Sequence, residues 1–254
     1  MDILRVENLV KTFQIEKKHQ KILGSKENKK IAVDHVGFIA RSGEIFGLLG
    51  PNGAGKTTTM RIISSLIKPD SGNVYFNDID VVSNPALVRS KLAFLTTDLK
   101  LDMRTTANEM FDFFAALYHI PSINRTARKA ELFERFGINQ FADTRISKLS
   151  QGMRQKVSIA ISVIHDPQFI IFDEPTNGLD IIATRDVRNF ILQMKKEGKC
   201  VIISTHIFDL VEKLCDRVAM IIDGKLAIEG KINDIMQDKS LEDAFYDYYS
   251  KHHN

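Results

Sequence analysis

The chain has 254 residues, 44% of them hydrophobic and 26% charged, with a formal net charge of +3. This is ordinary composition for a soluble globular protein, long enough for one large domain or two small ones. The charge is too mild to argue for a nucleic-acid partner, no apolar run approaches the roughly 20 residues of a membrane-spanning helix, and MDILRVENLV at the start carries no signal-peptide pattern. Cys200 and Cys215 have neither metal nor redox spacing and are expected as small buried residues in a reducing compartment, so the chain reads as cytosolic.

In chain order, apolar patterning predicts strands near 2–7, 32–39, 44–49, 73–76, 91–95, 168–172, 200–204, 216–222 and 225–229. Helices are expected near 57–67, 84–90, 106–119, 123–136, 150–165, 181–196, 206–214, 231–237 and 240–250. Gln14 to Lys30 is lysine-rich and holds a Gly-Ser; it reads as a solvated loop between two strands, with a basic patch near lipid headgroups as the sharper alternative. Asp223-Gly224 between two apolar runs is a strong hairpin signal. Strands alternating with helices argue for a mostly parallel α/β sheet. The early strands lack helices between them and are expected to form an antiparallel side sheet. Residues 100 to 165 carry almost only helical patterns, which suggests a helical insert between the strand before the glycine loop and the next core strand. On that insert, Met110, Phe113, Phe114 and Leu117 share one helix face and are expected in the core, leaving Phe111 and Tyr118 to line a docking groove.

The stretch GLLGPNGAGKTTTM, residues 47–60, matches G-x-x-x-x-G-K-[ST] from Gly50 to Thr57, and a short buried strand precedes it while an apolar-periodic helix follows. Glycines let backbone N–H groups approach an anion with no Cβ in the way, and the helix N-terminus adds unpaired N–H groups and a positive dipole end. Gly50, Pro51, Asn52, Gly53, Ala54, Gly55, Lys56, Thr57 and Thr58 are thus the candidate phosphate cradle. Lys56 can reach the β- and γ-phosphates, and the Thr57 hydroxyl can ligate Mg²⁺. FIIFDEP, residues 169–175, is a fully apolar strand ending in two acids. Such a strand suits burial on both faces, and open α/β sheets place ligands at its carboxyl end. Asp173 is the candidate metal carboxylate, and Glu174 the candidate base for an attacking water.

With these residues the chain resembles the ATP-binding cassette (ABC) ATPases over nearly its whole length. LSQGMRQKV at 149–157 is similar to the family's signature motif, Asn177-Gly178-Leu179-Asp180 to its D-loop, and Ser204-Thr205-His206 to its switch histidine. VENLVKTF at 6–13 resembles its opening strand, with Phe13 where an aromatic stacks on adenine. The resemblance implies an α/β P-loop NTPase fold with a mostly parallel core sheet, an antiparallel β side sheet and a helical insert. It implies one ATP-binding domain over 1–254, with a helical subdomain at about 98–165 and a helical tail at about 231–254. ATP and Mg²⁺ are the implied cofactors, and His206 is expected at the γ-phosphate. His119, His165 and the His252-His253 tail are expected to be ordinary cap, core or tail residues.

A second copy of the chain is also implied, packed head to tail, so that Ser150 and Gly152 donate to ATP held by the other P-loop. Ser150 reads equally as an ordinary helix N-cap. Integral membrane subunits docked on the helical insert, and a place at the cytoplasmic face of the cell membrane, follow from the same likeness. The motifs look most like exporter ATPases of the sodium-efflux, NatA-like group; a drug or antibiotic exporter is the alternative, and a soluble ABC ATPase the less favoured one. Two departures stand out. Gln151 and Met153 replace Gly and Gln of the usual signature, and Thr97 stands where the family's Q-loop glutamine is expected, with Asp98 beside it.

Overall fold

The computed structural model describes residues 3–15, 28–96 and 101–253. Most of the lysine-rich run at 14–30, together with Thr97 and Asp98, lies outside the described residues. Strands β1 (Ile3–Gln14), β2 (Lys29–Arg41), β4 (Ser71–Phe76) and β5 (Ile79–Asp80) form an antiparallel sheet in the order β2-β1-β4-β5. A second sheet, in the order β10-β9-β3-β8-β7-β6, is built from β3 (Ile45–Leu49), β6 (Leu92–Leu95), β7 (Phe169–Asp173), β8 (Cys200–Thr205), β9 (Arg217–Ile222) and β10 (Lys225–Lys231). It is parallel except for the β9–β10 hairpin. Asp223 and Gly224 turn that hairpin with φ of 48° and 82°, the double positive φ that a two-residue type I′ turn requires. The chain therefore has the α/β architecture of a P-loop NTPase.

Burial explains which sheet is which. Every residue of β3, β7 and β8 is buried, as a parallel sheet covered on both faces demands. β1 instead alternates buried and half-buried positions near its start. It runs well past the expected end at residue 7 because Asn8, with φ 47°, forms a bulge that resets the alternation, and so carries Phe13 out to its end. The helices are α1 (Lys56–Ile63), α2 (Pro85–Arg89), α3 (Ala107–Leu117), α4 (Ser122–Phe136), α5 (Gln151–Ser162), α6 (Ile181–Lys196), α7 (Phe208–Leu214), α8 (Ile232–Met236) and α9 (Leu241–His253). α1 stops four residues short of the expected 67. Ser64 Oγ donates to Met60 O at 2.7 Å, and Ser65 turns left-handed at φ 57°, so the amides of Leu66 and Ile67 fold back onto Arg61 O. The helical run α3–α5 lies between β6 and β7, so the edge strand β6 separates it from the glycine-loop strand β3, one strand later than expected.

The core expectation for α3 holds for Met110, is met in part by Phe114, which packs half-buried against the core, and is overturned for Phe113 and Leu117. Phe113 and Leu117 are 63% and 59% exposed, whereas Phe111 is fully buried. The buried positions are Ala107, Met110, Phe111 and Ala115. Both stripes have helical spacing, so periodicity cannot choose between them. Ala107 and Ala115 are buried on the same side as Phe111, which meets Phe133 of α4 edge-on at 5.5 Å. Tyr118 does not line an open groove either. Its ring stacks on His165 at 4.1 Å, and His165 Nε2 lies 3.1 Å from Leu92 O. His165 thus joins the helical run to β6, and burial lowers its pKa from the ordinary histidine value. His119 sits in the turn after α3 with φ 54°. Cys200 is buried and Cys215 partly so, and burial pushes the Cys215 thiol far above its usual range.

Candidate functional site

The carboxyl ends of β3, β7 and β8 meet at one edge of the parallel sheet, Asp173 lying opposite Ser204 and Leu49 opposite Thr205. The loop after β3 bends around this edge and ends at Gly55, the N-cap of α1, with φ 107°. A Cβ at Gly55 would stand 2.2 Å from the backbone oxygen of Ala32. Both the left-handed backbone and the close approach require glycine. We expect Gly55→Ala to lower the melting temperature and to remove nucleotide binding, checked by thermal unfolding with and without ATP; binding at wild-type strength would show that the loop tolerates the shift.

Lys56, 4% exposed, lies along this loop and donates from Nζ to Gly50 O at 2.7 Å and Pro51 O at 3.1 Å. Its Nζ is 4.0 Å from Glu174 Oε1. Burial draws the Lys56 pKa below the ordinary lysine value, while the Glu174 and Asp173 carboxylates push it back up. Thr57 Oγ1 donates to Asp173 Oδ1 at 3.3 Å, and Ser204 Oγ donates to the same oxygen. Glu174 has φ 53°, a left-handed conformation uncommon for a side-chain-bearing residue. Its amide donates to Ser204 O at 2.9 Å. Its carboxylate accepts from Thr205 Oγ1 at 3.2 Å on Oε2, and His206 Nδ1 lies 2.9 Å from Oε1. Such strain persists only where the surroundings over-determine it, and it clusters at functional sites.

A cleft of about 360 Å³ opens above these groups, lined by Phe13, Lys30, Ala32, Asn52, Gly53, Gly55, Lys56, Thr57, Thr58 and Glu174. Six of the candidate cradle residues, Glu174 and the aromatic at the end of β1 are therefore brought to one cavity, whereas Gly50, Pro51, Ala54, Asp173 and His206 do not line it. The loop's glycines, the free amides at the start of α1 and the cation fit a polyphosphate. The neighbouring Thr57 hydroxyl and Asp173 carboxylate are hard oxygen donors of the kind Mg²⁺ takes. Among the described residues no group of three or more His, Cys, Asp or Glu side chains forms a metal cluster, so such an ion would draw its other ligands from phosphate and water.

Ser150 and Gly152 do not line this cleft. Ser150 caps α5, its Oγ accepting from Met153 N at 3.2 Å, which leaves the hydroxyl hydrogen to donate elsewhere. A Cβ on Gly152 would lie 2.8 Å from Cβ of Ala183, so the start of α5 sits tight against the start of α6, which Asp180 caps through Ala183 N at 2.8 Å. Beside Lys30 and Ala32 of the cleft lining, the residues at the site to which no role was given in advance are Ser204 and Thr205. Two hydroxyls closing a fully apolar strand, CVII before Ser-Thr, are the signal that marks them.

Among the described residues no helix is long and apolar enough to cross a membrane. A family model described as ABC transporter matches residues 33–177. The ABC transporter ATP-binding protein NatA of Bacillus subtilis is 40% identical over 228 residues, 89% of this chain and 93% of that one. The linearmycin resistance ATP-binding protein LnrL of the same organism is 33% identical, covering 82% and 67% of the two chains. Among solved structures, an ATP-binding subunit of an ABC transporter superposes with a TM-score of 0.82 at 25% identity, over 97% of this chain and 99% of that one. A dimeric ATP-binding cassette in a post-hydrolysis state, bound to ADP and Pi, gives 0.76 at 25% identity, over 90% and 98%. With the nucleotide cradle, the paired carboxylates and the matching fold, the chain belongs to the ATP-binding, ATP-hydrolysing proteins of the ABC transporter family.

Proposed function

We propose that this chain is the ATPase subunit of an exporter of the NatA-like, sodium-efflux type, working as a head-to-tail pair of copies at the cytoplasmic face of the cell membrane. The observation that carries the catalytic part is the Glu174 carboxylate, held by Thr205 and His206 at the mouth of the cradle and 4.0 Å from Lys56. Phe13 takes the adenine, and residues 50–58 with Lys56 take the phosphates. Thr57 and Asp173 would hold Mg²⁺, which would supply neutralisation of the phosphate charge. Glu174 takes a proton from water as the water oxygen bonds to the γ-phosphorus. The bond from that phosphorus to the bridging oxygen breaks, and its electron pair leaves on ADP. His206 donates to the γ-phosphate. Ser150 and Gly152, outside the cleft of their own chain, donate to the ATP of the other copy, so closure of the pair completes two sites.

That closure moves membrane subunits seated on the helical segment at about 98–165. The exposed Phe113 and Leu117, four residues apart on α3, are the apolar surface offered to them. The likeness to NatA and to a drug-resistance protein supports the exporter reading, with a drug or antibiotic as the alternative cargo.

The test is capture of the protein from native membranes in mild detergent, with mass spectrometry of what accompanies it. A partner of about six membrane spans is expected, together with its loss from a Phe113→Glu, Leu117→Glu double variant that still binds ATP. Only ribosomal or other soluble partners would overturn the transport reading. Sodium and drug efflux assays on the captured pair then separate the two cargoes.

A further inference from the structure

The hydroxyls that end β8 do more than flank His206. Ser204 and Thr205 are both fully buried, and a buried hydroxyl is costly unless it is hydrogen-bonded. Each is satisfied by a different carboxylate: Ser204 Oγ donates to Asp173, and Thr205 Oγ1 donates to Glu174 Oε2 at 3.2 Å. Successive strand residues point to opposite sides, so one strand end addresses the two acids separately. Thr205 Oγ1 also accepts from the amide of Ile207 at 3.2 Å, at the entry to α7. That bond occupies an oxygen lone pair and aims the single hydroxyl hydrogen at Glu174. The backbone of Glu174 is held left-handed at φ 53°, yet the carboxylate still turns on a flexible stem. Thr205 on Oε2 and His206 on Oε1 remove that freedom, and of the two, Thr205 is the buried one.

We propose that Thr205 is a positioning residue for hydrolysis: its buried hydroxyl, aimed by the Ile207 amide, fixes the Glu174 carboxylate in the orientation from which it takes the water proton. The proposal rests on Glu174 being the base named above. A hydrogen bond to a charged group is stronger than one between neutral groups, so its loss is read directly in turnover.

The experiment compares the full chain with Thr205→Val, which keeps the shape without the hydroxyl, and Thr205→Ser, which keeps the hydroxyl. Four readouts are taken: steady-state kcat and KM, affinity for a fluorescent ATP analogue, the dimer fraction in ATP by gel filtration, and the melting temperature. For Thr205→Val, kcat is expected to fall about 10- to 100-fold, with KM and nucleotide affinity held within about twofold. The ATP-bound pair accumulates, and Thr205→Ser returns turnover to near wild type. Wild-type kcat in Thr205→Val overturns the proposal. So does a loss of turnover accompanied by equal losses of nucleotide affinity and thermal stability that Thr205→Ser fails to rescue, because that pattern belongs to a packing residue. A Glu174→Gln variant run alongside separates the two levels: if it turns over like wild type, the base assignment itself fails, whereas its inactivity beside an active Thr205→Val sinks only the role of Thr205.

Discussion

Glu174→Gln is expected to lower kcat about 100- to 10,000-fold, the range over which a positioned general base contributes, while ATP still binds. Glutamine keeps the size of the side chain and an oxygen that can accept from Thr205 Oγ1, so the geometry at the end of β8 survives. What it loses is proton affinity and negative charge. Removing a carboxylate 4.0 Å from the Lys56 ammonium also leaves that cation less compensated, which favours the polyphosphate. Binding should therefore hold or tighten while turnover collapses, and the ATP-bound pair of copies should accumulate. Single-turnover hydrolysis together with gel filtration in ATP reads both. Turnover equal to wild type would mean that water is activated elsewhere or that the cassette does not hydrolyse at this site.

Lys56→Ala is expected to show the opposite separation, with nucleotide binding lost and the fold retained. The ammonium is nearly buried, and burial already disfavours its charge, so the lysine stabilises the empty fold little. Its removal frees Pro51 O of an exposed residue and Gly50 O of a buried one, and the buried carbonyl left without a donor costs some stability. A charge-assisted bond to phosphate is worth roughly 1.5–3 kcal/mol, and Lys56 can serve two phosphates, so affinity should drop about 100-fold or more. In thermal unfolding, the melting point without ATP should fall modestly, and the rise produced by ATP in the wild type should vanish. An unchanged rise with ATP would remove Lys56 from the phosphate site. A large fall without ATP would make it a structural lysine that ties the loop together.

The two variants differ because the two residues are held differently. Lys56 is bound to its own loop, so it acts locally through charge. Glu174 is held from a neighbouring strand through Ser204 O, Thr205 and His206, so its orientation is a property of the sheet. Thr57 and Asp173, 116 residues apart along the chain, meet at 3.3 Å for the same reason: β3 and β7 flank β8, and their carboxyl ends share an edge.

The amino-acid sequence by itself determined the features whose causes are local. A glycine loop between an apolar strand and a helix, two acids closing an apolar run, and Asp223-Gly224 between two strands each work through spacing and backbone preference, and each stands where the pattern put it. Helix identity was equally legible along the chain. What only the tertiary structure decided depends on contacts between distant elements. Which apolar stripe of α3 enters the core is one case: Phe111 and Phe113 are equally hydrophobic and equally periodic, and the packing of Phe111 on Phe133 of α4 made the choice. The extension of β1 to Phe13 is another, since it needs β2 as a partner along its whole length and a bulge at Asn8 to restore pairing. The buried Ser204-Thr205 pair is the third. A hydroxyl has no periodicity to betray its partner, and only the parallel register of β7 on β8 sets Asp173 against Ser204 and Glu174 against Thr205.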